Sequence, residues 1–206
     1  MSLLRGLALL NDLAVIRQLH GEPLVQRFAE RLTPAQRKEH DAGFLPGRWY
    51  DEDIQARMCL ALSEQLDDAA IFRLGVAIGH YNVTRVQRFF ARIAGPRRLL
   101  QRSAGLWHWW RDSGRTAVEQ YREGSAVVAV YDHPVLATPG YPLLYGGACA
   151  FLVSVAGGRD VRLRAEVVGP MRVIAEVRWA PDARREPGFL SVDDALASLP
   201  KAPSTK

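Results

Sequence analysis

The stretch from Gly114 to Trp179 constrains the fold more than any other part of the chain. It reads GRTAVEQYREGSAVVAVYDHP, then the apolar segment YPLLYGGACAFLVSVAGG, then RDVRLRAEVVGPMRVIAEVRW. Residues Thr116 to Tyr121 and Ala126 to Tyr131 are rich in Val, Ala and Tyr, which suit a half-buried pleated surface. Gly124 between them supplies the positive φ of a short hairpin loop. In the second pair, Val161, Leu163, Ala165 and Val167 alternate with Arg162, Arg164 and Glu166. After the break at Gly169-Pro170, Val173, Ala175 and Val177 alternate with Arg172, Ile174, Glu176 and Arg178. A period of two gives one apolar and one mostly charged face, as in an antiparallel sheet wet on one side. Between the pairs, Tyr141 to Ala156 is apolar all round, the mark of a buried helix. Glycine weakens a helix by about 1 kcal/mol, so Gly146 and Gly147 are expected where a backbone comes close. The run falls short of the roughly 20 residues that span a membrane, which predicts no membrane span.

The residues ahead of this stretch read as helices. Leu3 to Leu10 is either a first helical turn or an extended lead-in. Asn11-Asp12 caps a helix to His20, stopped by Gly21, and Leu24 to Leu32 is a second. Thr33-Pro34-Ala35-Gln36 has a cap, a proline in the first turn and a Gln three residues after the cap, so a third helix runs to Gly43. Phe44 to Tyr50 reads as an aromatic-rich loop. Asp51 caps a helix to Leu66, and Asp67-Asp68 opens a long one to Ile93 that carries Gly75 and Gly79 four apart. Gly95-Pro96 closes it, and a last helix reaches Asp112 through Trp107, His108, Trp109 and Trp110. The expected architecture is α+β: N-terminal helices (1–113), then a four-stranded antiparallel sheet (114–180) built as hairpin, crossing helix, hairpin, in one domain. Residues 181–206, rich in Pro, Ala and Ser, are expected to form a flexible tail with at most one weak helix, starting at Ser191-Val192-Asp193-Asp194.

Composition and motifs exclude more than they assign. The chain has 206 residues, 48% hydrophobic and 24% charged, ordinary for a globular domain. Its N-terminus shows no signal-peptide pattern, and Cys59 and Cys149 sit apart in apolar contexts as free thiols, which points to the cytoplasm. Net charge is +5, and Arg85, Arg88, Arg92, Arg97, Arg98 and Arg102 form a basic run. No nucleic-acid-binding motif accompanies the run, so it reads as a solvated helix face, with no nucleic-acid partner. GxSxG, CxxC, SxxK, GxxxxGK[ST] and GxGxxG are absent, and the five histidines stand alone, so neither a catalytic nor a metal site is expected. Asp51-Glu52-Asp53 and Asp67-Asp68 are explained by the helix macrodipole. His80 and His108 are the two helical histidines that a haem would use.

The order of elements resembles the fold of haem–nitric-oxide-binding and 4-vinyl-reductase-type small-ligand domains. The order of Gly21, Trp49-Tyr50, Gly75 and Gly79, Trp110 before Gly114, Gly146-Gly147 and Trp179 is similar to an uncharacterised, mainly myxobacterial family of about 200 residues. That resemblance covers residues 5 to 180. Haem–nitric-oxide-binding domains carry a Tyr-x-Ser-x-Arg motif on the first hairpin, where this chain reads EQYREGSAV. Where they place a ligating His ahead of a proline, it reads VQRFFARIAGP, and it lacks the cysteine cluster of the 4-vinyl-reductase type.

These readings lead to a non-enzymatic, cytoplasmic sensor or adaptor domain of bacterial signalling that needs no cofactor. A protein partner, a small apolar ligand or a second copy of the chain are the partners this architecture admits. Trp107, His108, Trp110, Tyr121, Tyr145 and Cys149 are the candidate ligand-binding residues, because a concave apolar site with a few polar groups is the usual form of such a site. The alternative is a haem or other cofactor protein with a helical His ligand.

Overall fold

In a computed structural model that describes residues 2–179 and 187–200, the chain forms an amino-terminal helical part and a sheet with a helix laid across it. Strand β1 (Leu3–Arg5) pairs antiparallel with β2 (Trp49–Asp51). Helices α1 (Gly6–His20), α2 (Glu22–Glu30) and α3 (Pro34–Ala42) lie between them, and α4 (Asp53–Gln65) follows. The lead-in is thus a strand, and α1 starts at Gly6 rather than after Asp12, because the Gly6 amide donates to the Arg48 carbonyl at 2.8 Å. The Thr33 capping box forms as expected, with side chain and backbone of Thr33 and Gln36 hydrogen-bonded reciprocally.

The long helix expected over residues 67–93 is two helices. Helix α5 (Asp68–Asn82) ends at Val83, and α6 (Arg85–Gln101) begins with a second capping box, Thr84 with Gln87. The local signal was present in the sequence: Thr84 three residues before Gln87. Within α6, Gly95 adopts φ 71° and kinks the helix ahead of Pro96. Helix α7 (Ser103–Trp110) leads into the sheet.

Strands β3 (Arg115–Arg122) and β4 (Ser125–Tyr131) form the first hairpin, and α8 (Tyr141–Val155) is the crossing helix. Strands β5 (Arg162–Gly169) and β6 (Arg172–Arg178) form the second hairpin, all close to the expected bounds. The sheet order is β3-β4-β6-β5-β7, all antiparallel, with β4 against β6 in the middle. The fifth strand, β7 (Leu190–Ser191), and α9 (Val192–Ala197) come from the segment read as a flexible tail. Val192 and Ala195 are buried there, and the Val192 amide donates to the Val161 carbonyl. Of that tail, residues 181–186 and 201–206 lie outside the described residues.

Helix α8 sits between the sheet and α5. On the sheet side, a Cβ at Gly146 would lie 3.0 Å from Leu163. On the other side the two helix backbones meet directly: a Cβ at Gly147 would fall 2.5 Å from the Phe72 carbonyl oxygen, and one at Gly75 would fall 2.1 Å from that of Leu144. Gly147 therefore packs on α5, not on a hairpin. Substituting Gly147 with Leu should destabilise the fold by about 3 kcal/mol or more, because overpacking here strikes backbone. Gly47→Ala, where nothing lies within 4 Å, is the control. Chemical denaturation that shows equal midpoints for the two variants would contradict this packing. Truncation after residue 186 should lower the melting temperature, since it strips Val192 and Ala195 from the core; an unchanged transition would mean that α9 adds nothing.

Candidate functional site

Helix α7 is followed by its C-cap, Arg111, whose side chain is buried at the junction of the helical part and the sheet. Its Nε donates to Glu52 Oε1 at 2.8 Å and its Nη2 to Gln55 Oε1 at 2.8 Å. Its guanidinium also lies over the rings of Trp107, Tyr145 and Tyr141, at 4.7, 5.5 and 5.8 Å from the ring centroids. Gln55 Nε2 in turn donates to Asp12 of α1 at 2.8 Å. Glu52 is fully buried, as is His133, which follows β4 and meets Glu52 Oε1 through Nε2 at 2.9 Å. Ser2 donates to Glu52 Oε2 at 2.6 Å, and Ser2 Oγ lies 2.6 Å from Ser113 Oγ. Ser113 Oγ lies 3.1 Å from His133 Nδ1, which closes a ring of four side chains. Gly114 makes room for it: its φ is 74°, and a Cβ there would lie 2.7 Å from that of His133.

The electrostatics follow from burial and pairing. Burial opposes ionisation of Glu52, but hydrogen bonds from His133 and Ser2 and the charges of Arg111 and His133 outweigh it and hold the carboxyl below its usual range. Burial dominates at Asp12 and raises its pKa to about 6, against the Gln55 hydrogen bond and the Arg111 charge. Burial also pushes up the Tyr141 and Tyr145 phenols and the Cys59 and Cys149 thiols, so none of them is a ready nucleophile at neutral pH. Ser113, His133 and Glu52 are linked in the order that nucleophilic catalysis uses. Yet Ser113 is also tied to Ser2, and Glu52 is held by Arg111.

Of the candidate residues from the sequence, the structure brings together Trp107 and Tyr145, edge to face at 5.2 Å, with Cys149 one turn beyond Tyr145 on α8. His108 is exposed on the other side of α7. Trp110 is half-buried against exposed Trp109, and Tyr121 lies against Trp179 with Arg97 over its ring. The sequence reading missed Asp12, Glu52, Gln55, Arg111, Ser113, His133 and Tyr141. Its one usable signal was Glu52, in an acidic run that a helix terminus explains equally well.

The raised Asp12 pKa carries a signed prediction. A carboxyl held above its unfolded value of 3.8 stabilises the fold fully only below that value, and this contribution is lost as pH rises through about 6. Asp12→Asn keeps the Gln55 hydrogen bond without the charge. The variant should be more stable than the parent at pH 8 by up to about 3 kcal/mol, with the difference vanishing near pH 3.5. A constant difference across this range would contradict the assignment.

The architecture is similar to solved structures of H-NOX domains. The Fe(II) unliganded H-NOX protein from K. algicida aligns over 88% of this chain and 100% of its own, at 10% identity and a TM-score of 0.65. An oxygen-binding H-NOX domain related to soluble guanylate cyclases, in its oxygen complex, aligns over 85% and 94%, at 14% identity and a TM-score of 0.53. At such identities the likeness is one of fold. A haem needs a chamber with a His, Cys, Met or Tyr side chain turned into it, and two hollows among the described residues are lined by none of these. Those two hollows are open surface grooves. One of about 420 Å³ is lined by Arg27, Glu30, Arg31, Arg57 and Glu64, and one of about 100 Å³ lies along Gln120 to Val127 and Glu176. His133 has both nitrogens engaged. The ring of His80, whose Nδ1 has no hydrogen-bond partner among the described residues, packs edge-on against Tyr81 and Phe151. Among the described residues, no group of three or more His, Cys, Asp or Glu could hold a metal ion, and no helix is long and apolar enough to cross a membrane. No curated protein matches the sequence. The sequence profile of the family described as Protein of unknown function (DUF2378) matches residues 6–180, and the chain belongs to that family.

Proposed function

We propose that this domain is a non-enzymatic adaptor of bacterial signalling: an H-NOX-like scaffold that works in the cytoplasm through its surface rather than through a bound group. The observation that carries this reading is the aromatic packing around Arg111. Trp107, Tyr141 and Tyr145 close around Arg111, Glu52 balances its charge, and Gln55 accepts a second hydrogen bond. A sensor of a small ligand needs a concave site, and neither surface groove described above is lined by these residues. The Ser113–His133–Glu52 order gives the enzyme reading a foothold, but neither of these hollows has Ser113 in its lining.

Titration of the purified chain with haemin, followed by absorbance, should show no saturable Soret shift beyond that of a non-binding control protein. A stoichiometric shift, lost in His80→Ala, would overturn the adaptor reading in favour of a haem protein. Treatment with a fluorophosphonate probe should leave Ser113 unlabelled; labelling that disappears in His133→Ala would establish a reactive serine.

A further inference from the structure

Helix α6 is amphipathic the wrong way round. Val86, Phe89, Phe90 and Ile93 follow the i, i+3, i+4, i+7 pattern of a buried stripe. They are nevertheless 64%, 60%, 63% and 63% exposed. The face turned to the body instead carries buried Ala91 and Arg88. The Arg88 side chain donates to the Val83 carbonyl at 3.0 Å and to that of His80, at the free end of α5, and stacks over Phe151. A charged residue thus anchors the helix while two phenylalanines, 5.6 Å apart, point outward. Isolated exposed apolar residues are ordinary, but a contiguous stripe marks an interaction site.

Charge narrows the occupant. Arg85 and Arg92, one heptad apart, border the stripe on the side that flanks positions 86 and 93. Both are exposed, and neither has an ion-pair partner among the described residues. In a helix pair, the positions beside the apolar seam select the partner by charge. A second copy of this chain would bring the same arginine rim, on a protein of net charge +5, toward itself. We infer that the Val86–Phe89–Phe90–Ile93 face of α6 docks an amphipathic helix of another protein, with acidic residues flanking its apolar seam. This deepens the adaptor reading and rests on it.

The test uses the full chain and a labelled synthetic amphipathic helix with Leu at its seam and Glu at the flanking positions, followed by fluorescence anisotropy. The expected result is saturable binding that weakens at least about tenfold for the analogue with Lys in place of Glu. Phe89→Ser with Phe90→Ser should abolish binding without lowering the melting temperature, since both side chains are exposed. Arg85→Glu with Arg92→Glu should reverse the preference toward the Lys analogue. Equal binding of both peptides, or binding of neither, would overturn the proposal. So would sedimentation as a dimer that the serine variants dissolve, or binding only to phosphatidylglycerol vesicles. A chain that ignores haemin and the Glu peptide alike loses this docking site and keeps the adaptor reading, whereas haemin uptake sinks the adaptor reading whatever the peptide does.

Discussion

The pairing of Arg111 with Glu52 is the interaction on which the rest of this structure depends. A guanidinium and a carboxylate out of water each carry a desolvation penalty of several kcal/mol, and that penalty is met only when every donor and acceptor finds a partner. Here the partners come from far apart in the chain. Glu52 opens α4, Gln55 lies one turn further along it, His133 follows β4, and Ser2 and Asp12 come from the amino terminus. Leu4 forms a backbone bridge with Arg111 as well. The cluster therefore links α1, α4, α7 and the end of the first hairpin to one another.

The same cluster separates this chain from what its outline suggests. A fold shared with H-NOX domains invites the expectation of a chamber between the helices and the sheet. Trp107, Tyr141 and Tyr145 lie at the junction of the helical part and the sheet, packed edge to face or stacked, with Arg111 against all three rings. The close crossing of α5 and α8 at Gly75 and Gly147 tightens the interior from the other side. A shared outline does not by itself fix what an interior binds.

The sheet and the crossing helix were legible because their signals are local. Alternation over Val161–Arg178 dictates a one-sided sheet, and the absence of a polar face over Tyr141–Val155 dictates burial. The partner of Gly147 was not legible, since a small residue announces close approach without saying to what. The break at Thr84 was written in its capping box but hidden by the continuous apolar pattern around it. The charge cluster was the least legible part. Glu52 looks like an acid favoured at a helix start and Arg111 like one more arginine at a helix end. Only the folded chain shows that residues 59 apart meet at 2.8 Å. The docking of Val192 and Ala195 was likewise masked by a Pro- and Ser-rich context, although Ser191-Val192-Asp193-Asp194 did mark the start of α9.

A double-mutant cycle on Glu52→Gln and Arg111→Met, read by chemical denaturation, tests this account most directly. Each single variant leaves a buried charge without its partner and should lose about 3–5 kcal/mol. The double variant should be more stable than the sum of the two losses by about 2 kcal/mol or more. Small, additive losses would show that the pair does not hold the interior together, and would contradict the account.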